Sequence, residues 1–262
     1  MPCTIVPHLA GGLGNWLFQV AAAVKFAQDL GVQYCLVKEK AHGSPHSSTD
    51  YFSTILSKFN QRDTLRTDGA IQVVEPANFN HSDYRAIISQ FSRRDIDVYL
   101  VGYFQHYEFV PRTFKEMLAL PSVDCSKVRD TCFIHIRGGD YLTIPLHNIN
   151  LDSYYRKCVA HMKKLGITKF TVFTNDKAHA LRHEFLKDVD YEFADDASEL
   201  ESLVLMSECR AGICANSSFS WWGAYLNRSR PICMPSVWFN SGSINTSGYY
   251  FKGSECVSII DI

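Results

Sequence analysis

The residues of this chain best suited to chemistry lie in one stretch, 132–141, with the sequence CFIHIRGGDY. Its apolar residues predict a buried strand, and the two glycines end that strand. In an open α/β sheet, ligands bind just beyond the carboxyl ends of the strands. His135 and Arg137 near such an end, with Asp140 close behind, therefore indicate a site for an anionic ligand with acid–base chemistry beside it. The alternative is an ordinary strand with a charged surface end.

A second candidate loop joins a predicted strand, 211–216, to a predicted helix, 217–227. Hydroxyl side chains and unpaired N–H groups at the start of a helix suit a pyrophosphate. The alternative is that Ser217 or Ser218 only caps the helix while the two tryptophans fill the core. The candidate binding residues of this loop are Asn216, Ser217, Ser218, Phe219 and Ser220.

A third loop, Gly-Gly-Leu-Gly-Asn at 11–15, joins a predicted strand, 3–9, to a predicted helix, 17–30. Glycines let the backbone approach a phosphate at a helix start, so Gly12 and Gly14 are candidate binding residues. The dinucleotide fingerprint is incomplete, because Leu17 stands where its third glycine belongs. Three interpretations stay open: phosphate or sugar contact, a plain turn, and a nicotinamide site.

Strands and helices alternate in both halves of the chain, which predicts an α/β fold of two Rossmann-like units with mostly parallel sheets and a ligand cleft between them. We place the domains at 1–125 and 126–262. The further predicted strands are 33–38, 71–74, 97–104, 169–176, 191–196 and 231–239, and the further predicted helices are 112–120, 151–165, 180–187 and 197–209.

The composition excludes several classes of protein. The 262 residues are 46% hydrophobic and 20% charged, with a net charge of -1, so no overall field favours nucleic acid. Nine cysteines without a C-x-x-C pair predict reduced, buried thiols. The first residues lack the features of a signal peptide, and no apolar run reaches the length of a membrane span. We expect a cytoplasmic protein.

Two D-x-D pairs, Asp95 with Asp97 and Asp188 with Asp190, have the spacing that some glycosyltransferases use to hold a divalent metal ion. Carboxylates at this spacing are common by chance, and Asp97 precedes a strand, whereas ligands at a strand end should follow one. We therefore predict no metal site.

Five segments in order resemble one family, the α-1,2-fucosyltransferases (glycosyltransferase family 11-like). GGLGNWLFQVAAA is similar to their GGLGNQMFQYA opening, and GYFQHYEFV to their G-Y-F-Q element. HIRGGDY resembles their H-x-R-R-G-D-Y, and FTND their F-S-D-D. The segment 206–227 is similar to their M-S…I-A-N-S-T-F-S-W-W-G-A element. The segments extend from residue 11 to residue 227.

This resemblance implies a GT-B-like fold, with an acceptor-side first domain and a GDP-sugar-binding second domain. It implies an inverting transfer of L-fucose from GDP-fucose to a glycan hydroxyl, with O2 of galactose as the expected position, and no cofactor or metal. Arg137 would bind the pyrophosphate and stabilise the departing GDP. His135, Asn175 and Asp176 would lie toward the guanosine.

The resemblance also places residues from the first domain at the site. Gly14 and Asn15 would approach from there, and Asn15 joins Arg137 and Asp140 as a candidate catalytic residue. Asp140 is the local candidate for the general base, the alternative being that it anchors its loop. Phosphate or water taking the proton is a third route.

Two residues depart from the family pattern. Gly138 stands where the family has a second arginine, and Trp16 where it has a glutamine. These departures motivate an alternative function, a nucleotide-sugar or glycan-binding module without catalysis. A nicotinamide-dependent oxidoreductase is a third possibility, and it rests on the first glycine loop alone.

Overall fold

The computed structural model of the protein describes residues 2–42, 49–66, 70–75, 81–226, 230–251 and 257–261. The chain divides into two compact units, Met1–Ala119 and Leu120–Ile262. Each unit is built around a parallel sheet with helices, as the alternating pattern predicts.

The sheet of the first unit has four parallel strands in the order β3-β1-β8-β7. Two short parallel pairs, β2 with β5 and β4 with β6, accompany it. The strands are β1 Thr4–Pro7, β2 Leu9–Ala10, β3 Gln33–Tyr34, β4 Leu36–Val37, β5 Ala41–His42, β6 Gln61–Arg62, β7 Ala70–Val74 and β8 Asp97–Val101. The helices are α1 Leu13–Leu30, α2 His81–Ser89 and α3 Phe114–Met117, with short 3-10 turns at Lys38–Lys40 and Tyr107–Phe109.

Helix α1 is the centre of the first unit, and it is buried on nearly every face, as its apolar sequence predicts. Its residues Ala22, Ala23 and Phe26 pack in one cluster with strand residues from β1 and β8. Gly31 ends the helix in the left-handed conformation, with φ of 64°. The helix begins at Leu13, earlier than the predicted residue 17, so the glycine loop is shorter than expected.

The sheet of the second unit has six parallel strands in the order β11-β10-β9-β12-β13-β14. The strands are β9 Cys132–Ile136, β10 Lys169–Thr174, β11 Asp190–Phe193, β12 Ala211–Ile213, β13 Ile232–Pro235 and β14 Val257–Ile260. The helices are α4 Asp152–Lys164, α5 Lys177–Ala180, α6 Glu199–Glu208 and α7 Ser218–Tyr225, and 3-10 turns cover Gly139–Leu142, Glu184–Asp188 and Ser247–Tyr249.

Strand β9 has different neighbours on its two faces because alternate side chains point to opposite sides. Cys132, Ile134 and Ile136 share a core cluster with the buried residues of α4. On the opposite face, the guanidinium of Arg230 lies 5.4 Å from the centre of the Phe133 ring, and its Nη2 donates to the carbonyl of Gly223 in α7 at 2.8 Å. Both faces of this central strand are therefore covered, as in other parallel sheets.

Some predicted elements are wrong in extent. Strand β8 ends at Val101 rather than 104, because the backbone turns at Phe104, whose φ is +50°. The predicted helix 180–187 is replaced by α5, which ends at Ala180, and a separate 3-10 turn. Asp176 caps α5 by accepting from the N–H of His179, so the helix starts before the predicted position. Helix α2 and strands β5, β6 and β14 were not predicted.

The cysteines of the described residues are all unpaired, and all but Cys35 are buried. Cys256 lies outside the described residues. None of the helices in the described ranges combines the length and apolar character that a transmembrane span requires.

Candidate active site

The carboxyl ends of β9, β10 and β12 lie side by side. Thr174 of β10 pairs with Ile136, and Ile213 of β12 pairs with Ile134. Because these strands are parallel and in this register, the residues that follow them meet at one edge of the sheet. Arg137, Asn175 and Asn216 are brought together in this way.

The loop after β9 is held by the two polar residues that follow β10. Asn175 Oδ1 accepts from the N–H of Gly138 at 2.9 Å, and Asp176 Oδ2 accepts from the N–H of Gly139 at 3.3 Å. The N–H of His179 and that of Gly139 lower the pKa of the Asp176 carboxyl. Asn175 and Asp176, which the resemblance places toward guanosine, thus also fix the shape of the Arg137 loop.

Gly138 has no room for a side chain. A Cβ atom at this position would lie 2.7 Å from Cβ of Asp176 and 3.0 Å from Cδ2 of His179. The neighbouring side chains therefore accommodate glycine at position 138 and leave no space for the arginine of the family pattern.

The guanidinium of Arg137 is held from two sides. Its Nη2 donates to Oδ1 of Asp140 at 2.6 Å, and its Cζ lies 4.9 Å from the centre of the Tyr141 ring. The Tyr141 ring is stacked on His147, with 4.5 Å between centroids and 16° between planes. Nε of Arg137 is buried without a hydrogen-bond partner, although buried donors are rarely left unpaired. The Arg137 guanidinium is thus held in position, and its Nε–H donor has no hydrogen-bond partner among the described residues.

Asp140, a candidate base, forms an ion pair with Arg137 in this arrangement. This contact is to a side chain, whereas the anchoring alternative was expected to involve backbone N–H groups. The proton-accepting role stays a prediction.

A cavity of about 320 Å³ opens beside Arg137. Its volume is within the range of small-molecule sites. The cavity is lined by Ile136, Arg137, Tyr141, Leu142, His147, Asn148, Ile149, Asn150, Leu151, Asp152, Tyr155, His179, Arg182, His183 and Asn216.

His135 is buried on the α7 side of β9, and its ring centroid lies 5.8 Å from that of Phe219. Burial, helped by the charge of Arg137, lowers the pKa of His135 to about 3. The imidazole is therefore neutral at physiological pH and cannot serve as a cationic phosphate ligand.

The α7 loop is partly occupied by its own hydrogen bonds. Ser217 caps the helix by accepting from the N–H of Phe219 at 3.3 Å. Ser220 is buried and donates to the carbonyls of Ala215 and Ser217. The side chain of Asn216 donates to the carbonyls of His147 and Trp238 at 3.1 and 3.2 Å. Asn216 therefore connects this loop to the cavity wall. The Ser217 hydroxyl caps α7, and the Ser220 hydroxyl hydrogen-bonds to the backbone before it.

The remaining predicted residues belong to the first unit. Gly12 is the N-cap of α1, and Gly14 and Asn15 lie in its first turn. Asn15 Oδ1 accepts from Nε2 of Gln105 at 2.7 Å, which joins the glycine loop to the G-Y-F-Q element. Gln19 makes a second link between the same two segments.

Two histidines at this site, His179 and His183, were not predicted, although their H-x-x-x-H spacing can be read in the sequence. His183 Nδ1 lies 2.5 Å from Oδ1 of Asp152, and its Nε2 lies 3.2 Å from Nε2 of His179. Asp152 stands at the start of α4, so this chain of contacts ties the α5 turn to that helix.

The carboxylates of the first D-x-D pair are engaged by arginines: Asp95 pairs with Arg66, and Asp97 with Arg62. Within the described residues, no group of three or more histidine, cysteine or acidic side chains is arranged to hold a metal ion.

The sequence matches the model of one protein family, described as glycosyl transferase family 11, over residues 77–243. This match covers well over half of the chain. The chain belongs to glycosyl transferase family 11.

Two curated relatives come from Escherichia coli. The chain is 28% identical over 158 residues to the O-antigen biosynthesis glycosyltransferase WbnK, covering 56% of this chain and 51% of that protein. It is 29% identical over 133 residues to an alpha-1,2-colitosyltransferase, and this match covers 47% of this chain and 46% of that protein. The chain thus spans about half the length of the curated relatives that it matches.

Solved glycosyltransferases share the fold. Fucosyltransferase NodZ from Bradyrhizobium has a TM-score of 0.52 at 14% identity, covering 88% of this chain and 95% of that chain. The glycosyl transferase family 9 protein from Veillonella parvula has a TM-score of 0.52 at 10% identity, covering 99% and 87%. The predicted α/β, GT-B-like fold class is confirmed.

Proposed function

We propose that this family 11 chain transfers L-fucose from GDP-fucose to a glycan hydroxyl, with inversion at the anomeric carbon and without a metal ion or cofactor. The observation that carries the proposal is Arg137, held at the carboxyl edge of the second sheet by Asp140 and Tyr141. A pre-positioned guanidinium suits a leaving group whose negative charge grows as the reaction proceeds.

In the proposed step, the acceptor oxygen forms a bond to the anomeric carbon as the bond from that carbon to the diphosphate oxygen breaks. The electron pair of the broken bond goes to the diphosphate, where Arg137 stabilises it. The acceptor proton passes to a base, for which Asp140, the phosphate and water are the candidates. The neutral His135 behind the strand cannot compete with Arg137 for the phosphate charge.

For the acceptor, we propose O2 of a galactose residue, giving an α-1,2 linkage. The fucosyltransferase motifs support it, as does the likeness to a protein named an alpha-1,2-colitosyltransferase. Colitose is L-fucose that lacks the 3-hydroxyl group, so GDP-colitose belongs in the donor panel.

The test is transfer by the purified chain from GDP-fucose and GDP-colitose to galactosides, with and without EDTA. We expect a fucosylated product and GDP release that EDTA does not reduce. Arg137→Lys should lower kcat/KM by about 100-fold, since lysine keeps the charge but loses the forked geometry. Arg129→Gln, which removes an exposed arginine of the same unit, should have no effect. Absence of both transfer and GDP release from every donor would overturn the proposal.

A second candidate is a module that binds a nucleotide sugar without turning it over. The observation in its favour is Gly138, whose surroundings exclude the family's second arginine. Calorimetry separates the two: tight GDP binding without transfer to any acceptor of the panel would favour the binding module.

A further inference from the structure

Gly138 leaves the proposed donor site one cation short of the family pattern. Asp176 and His179 fill the space beside this glycine, so no side chain can extend from it without displacing them. Arg137 alone is a weak counter-charge, because Asp140 already offsets it at 2.6 Å. A diphosphate carries more negative charge than one paired guanidinium can balance.

Arg182 lines the same cavity as Arg137. Its Nε donates to the carbonyl of Ala178 at 3.3 Å. The salt bridges formed within the described part of the chain do not include Arg182. Within the described residues Arg182 thus forms no ion pair with a carboxylate, unlike Arg137, although its charge helps to lower the pKa of the nearby Asp176.

The turn that carries Arg182 is anchored on both sides. His179 and His183 flank it and contact each other through their Nε2 atoms at 3.2 Å. His183 in turn contacts Asp152 at the start of α4 at 2.5 Å. The backbone N–H of Arg182 donates to the carbonyl of His179 at 3.0 Å. These contacts hold the backbone of Arg182 beside the cavity that its side chain lines.

We propose that Arg182 makes the second cationic contact to the donor diphosphate, from the lining of the cavity that it shares with Arg137. This proposal rests on the GDP-sugar donor proposed above. In this arrangement Gly138 carries no charge, and Arg182 takes the place of the second arginine of the family pattern. Arg182 binds the diphosphate through N–H donors, and no proton transfer is assigned to it.

The test is calorimetric titration of the full chain with GDP, pyrophosphate and guanosine. Arg182→Gln should weaken the binding of GDP and of pyrophosphate about 10-fold, which is the loss expected for one hydrogen bond to a charged group. The binding of guanosine should be unchanged. Arg156→Gln, which removes an exposed arginine from α4 outside the cavity, is the matched control and should bind GDP like the unmodified chain.

Binding of GDP by Arg182→Gln within twofold of the unmodified chain would overturn the inference, as would an equal loss for guanosine. Arg182→Lys keeps the charge and should weaken GDP by less than the glutamine variant. If the glutamine variant does not fold, Arg182→Met, which also removes the charge, takes its place, and GDP binding within twofold of the unmodified chain is again the overturning result.

Measurements of transfer and of GDP binding distinguish a failure of the proposed function from a failure of the role proposed for Arg182. Fucose transfer with an unchanged KM for the donor in Arg182→Gln would remove the inference alone. Arg182-dependent GDP binding without transfer would remove the proposed function alone. Failure of the unmodified chain to bind either GDP or pyrophosphate would remove both.

Discussion

At the residue scale, Gly138 shows how a backbone position constrains its neighbours. A methyl group there would lie 2.7 Å from Cβ of Asp176, closer than two carbon atoms tolerate. We expect Gly138→Ala to destabilise the protein by about 1–3 kcal/mol and to weaken GDP binding, because the loop that carries Arg137 must shift. Thermal melts and GDP titrations measure both effects. Gly242→Ala is the control, since nothing lies within 4 Å of a Cβ at that position. Equal melting temperatures for Gly138→Ala and Gly242→Ala would contradict the close approach of position 138 to Asp176.

Asp140 can be assigned by what its removal does to the reaction. As an anchor of Arg137, it contributes to donor binding, so Asp140→Asn should raise the donor KM about 10-fold while the pH dependence of kcat stays the same. As a base, it would instead supply one limb of that pH profile. A fall in kcat of about 100-fold or more with loss of that limb would identify Asp140 as the base. Steady-state kinetics between pH 5 and 9 give both readings.

His135 makes stability depend on pH. Its pKa is about 3 in the folded protein because of burial and the nearby charge of Arg137, against an ordinary value of 6.5. Between these values the unfolded chain binds more protons, so stability falls as the pH drops below 6.5. The contribution of His135 at pH 5 is a loss of about 2 kcal/mol.

Urea unfolding at pH 7.5 and pH 5 checks this effect against His135→Gln, which does not titrate. The unmodified chain should lose more stability than the variant over this interval. An equal loss in both proteins would show that His135 is not the titrating group.

At the element scale, Gln19 of α1 holds two segments of the first unit together. Its Oε1 accepts from the N–H of Ala10, and its Nε2 donates to the carbonyl of Gly102, both at 3.0 Å. Gln19 is buried, so Gln19→Leu would leave both backbone groups without their partner. We expect a loss of about 2–4 kcal/mol, measured by denaturant unfolding. Gln28→Leu removes an exposed glutamine of the same helix and should cost little. Similar losses in the two variants would show that the link is not energetically important.

Sequence patterns predicted the elements best where the hydrophobic period was long and its ends were marked. Helix α4 was placed within one residue at each end, since its apolar face repeats regularly and Gly166 follows it. The end of β8 was missed because the turn at Phe104 is fixed by tertiary contacts. Glu75, distant in sequence, accepts from the N–H groups of Tyr103 and Phe104 at 2.7 and 2.9 Å. No local pattern encodes such a contact.

The candidate site follows the same division. Arg137 could be proposed from sequence because it follows a buried strand and precedes two glycines. Arg182 could not be proposed in this way, because its relation to Arg137 arises only when β9 and β10 are paired and the α5 turn is anchored to α4. The hydrogen bonds of Asn175 to the Gly138 loop are likewise a result of strand order.

At the scale of the whole molecule, the proposals assign the nucleotide to the second unit, whereas the glycine loop of the first unit would hold it in a nicotinamide-type enzyme. Hydrogen exchange of the full chain with and without GDP decides between them. Bound ligand slows exchange where it contacts or orders the backbone. We expect slower exchange in peptides covering 136–142 and 216–220, with a smaller effect in Arg182→Gln. Residues 31–34, which lead into β3 beside the start of β1, should be unchanged and serve as the internal control. Slowing confined to residues 11–16 would place the nucleotide in the first unit and contradict the roles given to Arg137 and Arg182.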